Sequence, residues 1–250
     1  MKKKQIKMLD NNYTCGKNNL RSKVAALTMV AVISGTLSMT GCGINADKTK
    51  EETTFPYTST TVEVKDDNAQ ITAMVVGGVS IYLDEFYYYA YTTQATYEVY
   101  YLTENEPLDW SRTVTGDITL EEAAKNKVYE DICKRQAMLY IGANPEKGVS
   151  YNITPTDDMM KKVDEMVQEY EQGTNDKLKD RIGISTSRLK EVYLKDILSK
   201  DIMEQMKEQG KDPEKEYQKW REENEINTLE WFDKFTFRDT IFKSLEDNIG

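Results

Sequence analysis

The sequence predicts a mainly α-helical domain with a small β element, and three observations support this fold class. Over most of residues 83–220, apolar side chains recur at steps of three and four, which is the spacing of an amphipathic helix. Helix-capping residues precede several of these stretches. A β-prone stretch with a central glycine pair opens this region, and an aromatic, partly β-prone stretch follows it. No internal repeat is visible that would indicate a solenoid.

The first predicted element is a short hairpin in residues 71–81. β-branched residues lie on both sides of Gly77 and Gly78, and glycine tolerates the positive φ angles of a tight turn. Residues 83–102 are then predicted to form a helix with an aromatic face, made of Phe86, Tyr89, Ala90, Thr93, Tyr97, Tyr100 and Tyr101. Residues 104–118 are expected to form a loop with Trp110 as an aromatic anchor.

Five further helical segments are predicted from their ends. A capping box of Thr119 and Glu122 opens the first of them, and Thr154 followed by Pro155 opens the second. A short helical piece in residues 177–182 stops at Gly183, and Ser185 then caps a long helix that ends at Gly210. Asp212 and Pro213 start the last helix, which carries Tyr217 and Trp220. Residues 225–237 could return to the first hairpin as an edge strand.

The N-terminal region predicts an exported lipoprotein. Basic residues precede an uncharged run from Val24 to Gly41, which is the order of an export signal and is shorter than a membrane span of about 20 apolar residues. The run ends in Met39-Thr40-Gly41-Cys42-Gly43, which resembles a lipobox, although that motif usually has Leu where Met39 stands. The resemblance implies cleavage before Cys42, covalent diacylglycerol on this residue, and anchoring on the outer face of the cytoplasmic membrane, more in keeping with a Gram-positive type of envelope. Translation starts at either Met1 or Met8.

This prediction divides the chain into a signal peptide (1–41), a lipidated cysteine with a flexible tether (42–68) and one domain (69–250). The tether is rich in Thr, Lys, Glu and Asp with little apolar periodicity. Removal of the signal peptide takes away seven basic residues and one acidic residue, which changes the formal net charge from −10 to −16. Such an acidic surface argues against nucleic-acid partners and against membrane binding through a basic patch.

The sequence contains few groups for catalysis or metal binding. It has no histidine, and it lacks the common zinc, dinucleotide and phosphate-binding motifs. After processing, Cys133 is the only free thiol, and its helical context predicts a bland, partly buried residue. Pairs such as Asp157-Asp158 and Glu222-Glu223 are interpreted as a solvated acidic face. We therefore expect no catalytic residues, no metal and no cofactor besides the lipid.

Aromatic side chains are the outstanding feature of residues 86–102. One face of this helix must pack inward, whereas Tyr87, Tyr88 and Tyr91 are expected to project from the rest of the cylinder. Tyrosine offers apolar area and a hydroxyl group at low entropic cost, which suits an adaptable binding surface. The candidate client-binding residues, chosen for aromaticity and possible exposure, are Tyr87, Tyr88, Tyr91, Trp110, Tyr193 and Trp220.

The stretch from Val75 to Tyr91, VVGGVSIYLDEFYYYAY, resembles the start of the N-terminal chaperone domain of PrsA/SurA-type foldases. Five positions match the family pattern: Val76, Gly78, Ile81, Glu85 and Phe86. Gly77 and Tyr82 depart from it. Similarity continues in the same order along nearly all of residues 71–237, including the segment that closes the domain in this family.

The resemblance implies a helical chaperone domain that binds unfolded or partly folded exported polypeptides without covalent chemistry. In such foldases a prolyl isomerase domain with conserved histidines usually follows the long helix. Here only residues 209–213 occupy that junction, so the isomerase is expected to be missing. Two alternatives remain: a structural or assembly lipoprotein with one dedicated partner, and a divergent prolyl isomerase.

Overall fold

A computed structural model describes residues 67–104, 107–237 and 239–243 of the chain. The predicted signal peptide, Cys42 and nearly all of the predicted tether lie outside these residues. The described domain begins with a single 3-10 turn, Asp67–Gln70, just before the predicted domain boundary. Helices make up 64% of the described residues, together with a small antiparallel sheet, so the coarse fold class is confirmed.

A three-stranded sheet joins the two ends of the domain. Its central strand β1 (Thr72–Val76) pairs antiparallel with β2 (Val79–Tyr82) and, on its other side, with β5 (Ile226–Thr228). The backbone N–H of Gly77 donates to the carbonyl of Glu225 at 2.9 Å, which extends the β1–β5 ladder. The predicted hairpin and its C-terminal edge strand are both confirmed, although the strand covers only three of residues 225–237.

The turn between β1 and β2 requires its glycines. Gly77 and Gly78 have φ angles of +57° and +83°, a region in which residues with a Cβ are strained. Gly77 also lies against the Trp220 ring, where an added Cβ would be 2.5 Å from the Cζ2 atom. The β1–β2 turn therefore packs against the helix that carries Trp220, and this contact requires a residue without a Cβ at position 77.

Seven helices complete the described fold. They are α1 (Leu83–Thr103), α2 (Leu120–Ala143), α3 (Asp157–Gly173), α4 (Asp176–Ile182), α5 (Thr186–Glu208), α6 (Pro213–Glu223) and α7 (Glu230–Lys234). Helix α5 packs on both α2 and α3, and α1 packs on α2, α4 and α5. The core consists of the predicted apolar stripes of these helices, with Val128, Ile132, Leu189 and Ile202 almost inaccessible to solvent.

Most of the predicted helix ends are confirmed. Thr119 and Glu122 form a reciprocal capping box at the start of α2, and Ser185 caps α5 through the N–H of Arg188. Gly183 ends α4 in the left-handed conformation. The start predicted at Thr154 is wrong by two residues, because it is the Thr156 hydroxyl that accepts the N–H of Met159 and caps α3.

The loop predicted for residues 104–118 contains a second hairpin. Strands β3 (Thr113–Thr115) and β4 (Ile118–Thr119) pair antiparallel around a turn at Gly116, whose φ is +56°. Threonines and an isoleucine flank this glycine in the sequence. A β-prone pattern typical of a hairpin is therefore present, but it covers only a few residues. Its effect is to lead the chain directly into the N-cap of α2.

Candidate functional site

Three of the predicted client-binding residues are buried, so the exposure expected of them is wrong. Tyr88 is 5% exposed and its ring packs edge-on against Tyr193, with 5.7 Å between ring centroids. Tyr193 is likewise 5% exposed, and Trp220, at 4% exposed, lies over Gly77. The physical reason is tertiary packing: Tyr88 on α1 and Tyr193 on α5 pack against each other where these helices meet, and Trp220 on α6 packs against the β1–β2 turn.

The other three, Tyr87, Tyr91 and Trp110, are half-buried and meet at one place in the fold. They contact the chain that follows α7, namely residues 235–237 and 239–243, which we call the C-terminal arm. The Phe237 ring stacks on Trp110 at 4.8 Å with 17° between the planes. Phe235 meets the Tyr91 ring edge-on at 5.5 Å and lies 6.2 Å from the Tyr87 ring.

The C-terminal arm is deeply seated on the domain. Phe235 is 8% exposed, and Phe237, Ile241 and Phe242 are each at most 3% exposed. The arm contains no helix or strand, so its backbone groups must find hydrogen-bond partners outside regular secondary structure. They find several of them in the side chains of α1 and α4.

The Glu98 carboxylate on α1 binds backbone N–H groups of the C-terminal arm. Glu98 is 2% exposed, and its carboxylate accepts the N–H of Ile241 at 2.8 and 3.0 Å and the N–H of Phe242 at 2.8 Å. The Gln94 side-chain amide donates to the same carboxylate at 2.7 Å and to the Asp239 carbonyl at 3.3 Å. Burial of this charge is tolerated because N–H donors surround it.

Further polar groups contact arm backbone from the neighbouring helices. The Lys177 ammonium group on α4 donates to the carbonyls of Thr240 and Ile241. The Glu121 carboxylate on α2 accepts the N–H of Phe237 at 3.1 Å. We call the surface formed by Tyr87, Tyr91, Gln94, Glu98, Trp110 and Lys177 the aromatic groove.

The aromatic groove follows from the helical period of α1. Tyr87, Tyr91, Gln94 and Glu98 are separated by four, three and four residues, so they form one stripe along the helix. Burial raises the pKa of the Tyr91 phenol, an effect that Arg181 partly offsets, and burial together with Tyr91 raises the pKa of Tyr87. Both hydroxyls therefore stay protonated at neutral pH.

Glu98 and Gln94 are not among the site residues predicted from the sequence. The signal for them is available, because both lie on the stripe defined by Tyr87 and Tyr91. What could not be foreseen is their partner, since the arm is more than 130 residues further along the chain. Aromatic density alone predicts the rings as contact residues, and it does not indicate the polar Gln94 and Glu98 that follow them on the same stripe.

A network of buried charges ties α1 to α2 and α5. Glu85 forms ion pairs with Arg135 and, at 3.1 Å, with Lys195, and Asp84 accepts from Arg188 at 3.0 Å. Burial alone would raise the pKa of Glu85, but Arg135, Lys195 and Arg188 outweigh burial and lower the pKa to about 2. Glu85 is thus ionised at neutral pH despite being fully buried.

Asp196 belongs to the same network, but its pKa shifts in the opposite direction from that of Glu85. It accepts a hydrogen bond from the Tyr89 hydroxyl and lies 3.8 Å from Arg135. Burial raises its pKa, and the nearby Arg135 only partly compensates. Each charged partner in the network is already engaged with another buried group, so we assign the network to holding the three helices in register.

The thiol and the acidic clusters offer little chemistry where they can be described. Cys133 lies in a helix as predicted, but it is fully buried and not partly buried, and burial raises the pKa of its thiol to about 12. Asp157, Asp158, Glu222 and Glu223 are exposed. Among the described residues, no group of three or more acidic or cysteine side chains could hold a metal ion.

An exposed apolar pair lies beside the open edge of the sheet. Leu229 is 38% and Trp231 47% exposed, and both follow β5, which is an edge strand. Isolated exposed apolar residues are common on protein surfaces. Leu229 and Trp231 are notable because they lie next to a strand edge that another strand could pair with.

Comparisons with protein families, with curated proteins and with solved structures give no match for this chain. Within the part of the chain that the structure describes, none of the helices has both the length and the apolar character needed to cross a bilayer. Functional inference therefore depends on the geometry of the aromatic groove and on the sequence features described above.

Proposed function

We propose that the protein is a membrane-tethered extracytoplasmic chaperone that holds unfolded or partly folded exported polypeptides. The observation that carries this proposal is the aromatic groove, which binds a segment without helix or strand through its backbone and through large apolar side chains. Backbone groups are common to all polypeptides, so a surface that recognises them suits a binder of many clients. The mechanism is reversible holding, without prolyl isomerase chemistry.

The predicted lipid anchor on Cys42 supports the same function. The tether of about 25 residues that the sequence predicts would, by coil scaling, keep the domain within roughly 25 to 30 Å of the membrane. Exported chains emerge unfolded in this zone. The acidic surface would at the same time disfavour binding to anionic headgroups, which leaves anchoring to the lipid.

The test is binding of one client protein in its reduced, unfolded form and in its native form. The mature chain from residue 42, carrying Cys42→Ser to prevent lipidation, should bind the unfolded form and ignore the native one. The double variant Tyr87→Ser/Tyr91→Ser should lose most of this binding. The matched control is Tyr100→Ser, which removes the same ring from an exposed position of the same helix. Equal binding of both client forms would contradict the proposal.

The second candidate is an assembly lipoprotein with one dedicated partner, and the exposed Leu229 and Trp231 beside β5 favour it. A partner strand could extend the sheet at this edge and cover both side chains. In that case Trp231→Ser would abolish a single tight complex, whereas the Tyr87→Ser/Tyr91→Ser variant would leave it intact. Binding of many unrelated unfolded clients would exclude this alternative.

A further inference from the structure

The C-terminal arm occupies the aromatic groove in the way that a bound peptide would. The groove side chains Glu98 and Lys177 contact N–H and carbonyl groups of residues 240–242. These contacts do not depend on which side chains the arm carries. Any segment without regular secondary structure that carries suitable apolar residues presents backbone groups of the same kind.

Release of the arm would leave the backbone hydrogen bonds of α1, α2 and α4 intact. The described hydrogen bonds that tie residues 237–242 to these helices run from arm backbone to their side chains, whereas Phe235 donates its N–H to the Phe232 carbonyl at the end of α7. Release would also expose the buried Phe237, Ile241 and Phe242. A segment that enters the groove therefore has to replace their apolar contacts.

The arm also carries conformational strain. Asp239 has a φ of +56°, and among the described residues it is the one position other than glycine with a positive φ. The strain is small, because Asp is among the non-glycine residues that adopt this region most readily. It marks a bend between the two anchoring regions of the arm, Phe235 to Phe237 and Ile241 to Phe242.

We propose that the C-terminal arm is an internal competitor that leaves the aromatic groove when an extended client segment enters it. This inference rests on the proposed function and specifies where the client binds and how binding is limited. A client can bind only to molecules in which the arm has left the groove. The apparent affinity is therefore the intrinsic affinity multiplied by the fraction of such molecules. Weak, reversible holding follows from this competition.

The experiment measures amide hydrogen exchange of the mature Cys42→Ser chain while a probe is added. The probe is a synthetic peptide of residues 233–243, DKFTFRDTIFK, and a peptide with Ser in place of its three phenylalanines and isoleucine is the control. We expect the probe to bind and the amides of Ile241 and Phe242 to lose protection, while the amide of Val192 in the core keeps it. Binding of the probe with both arm amides still protected would overturn the proposal.

A substitution in the C-terminal arm gives a quantitative test of the same proposal. Ile241→Ser weakens the arm but leaves the groove unchanged, so it should bind the probe more tightly than the wild type, on the order of ten- to a hundredfold if the closed arm blocks 90–99% of molecules. Thr240→Ser, at an exposed arm position, should bind like the wild type. Equal affinity of Ile241→Ser and wild type would contradict the inference. Should Ile241→Ser not fold, the wild-type exchange measurement decides alone.

The two proposals fail in different ways. If an unfolded client binds while the Ile241 and Phe242 amides stay protected, holding is retained and the competing arm is wrong. If the probe peptide displaces the arm but no unfolded client binds, the groove and its arm are retained as a peptide site and the general chaperone function is wrong.

Discussion

The substitution Glu98→Gln tests how the aromatic groove holds the C-terminal arm. The carboxylate accepts two backbone N–H groups, those of Ile241 and Phe242, at 2.8 Å. A neutral amide in its place has one acceptor oxygen and no charge, and its NH2 group cannot accept at all. Hydrogen bonds to a charged acceptor contribute about 1.5–3 kcal/mol, against about 0.5–1.5 kcal/mol for neutral ones.

The expected cost of this substitution is therefore about 1 to 1.5 kcal/mol for each of the two bonds, or about 2 to 3 kcal/mol in total. Every 1.4 kcal/mol corresponds to a factor of about ten. The opening equilibrium of the arm should thus shift towards the open form by a factor of roughly 30 to 150. The exchange rates of the Ile241 and Phe242 amides should rise by this factor, up to the limit of about 10- to 100-fold that is set when an arm closed in about 90–99% of molecules opens fully.

Hydrogen–deuterium exchange resolved by NMR measures these rates residue by residue. Glu169→Gln is the matched control, because it makes the same chemical change at an exposed position on α3. Two results would refute the reasoning. One is unchanged protection of Ile241 and Phe242, and the other is an equal loss of protection at Val192, which would indicate global destabilisation instead of arm release.

The remaining predictions concern the body of the domain. Glu85 has its pKa lowered to about 2 in the folded state against 4.3 in the unfolded chain, so its stabilising effect should be present above about pH 4 and disappear as pH falls towards 2. The loss should amount to about 3 kcal/mol by linkage, less the opposing effect of nearby carboxyls with raised pKa, and urea unfolding at a series of pH values measures it. Gly77→Ala should destabilise the domain by about 1–3 kcal/mol more than Gly78→Ala, since both residues have positive φ but only Gly77 would meet Trp220; equal melting temperatures of the two variants would contradict this contact. Cys133, whose thiol pKa burial raises to about 12, should resist alkylation by iodoacetamide at pH 8 until the protein is unfolded, and rapid native-state labelling would show that it is accessible.

Much of the fold was predictable because local signals agreed with the tertiary structure. The stripe of α2 illustrates both the success and its limit. Val128, Ile132 and Leu139 recur in the sequence at helical spacing, which predicts an inward face, and they are buried. Arg135 lies on the same stripe and is 4% exposed, yet nothing local to α2 indicates its buried partner Glu85, which is 50 residues earlier.

The candidate site was less predictable for a related reason. Tyr87 and Tyr88 are adjacent in an aromatic run, and both were expected to project from the helix. Only the arrangement of α5 buries Tyr88 against Tyr193, and only the return of the arm gives Tyr87 its half-buried position near Phe235. Such pairings depend on the tertiary path of the chain, which helical periodicity does not contain.

The resemblance to PrsA/SurA-type foldases remains a proposal about ancestry and function. What the fold adds is a reason for the aromatic density of α1. Several of its rings build the core, and Tyr87 and Tyr91 border a groove that binds a chain segment without helix or strand. The predicted lipidation at Cys42 lies outside the described residues, and mass spectrometry of the membrane-bound form would test it.

The central claim is that this domain holds unfolded polypeptide, and light scattering of an aggregating client tests it most directly. A reduced secreted protein should aggregate more slowly with the mature Cys42→Ser chain at stoichiometric excess, and the Tyr87→Ser/Tyr91→Ser variant should lose this protection while Tyr100→Ser keeps it. Aggregation at the same rate with and without the wild-type chain would contradict the claim.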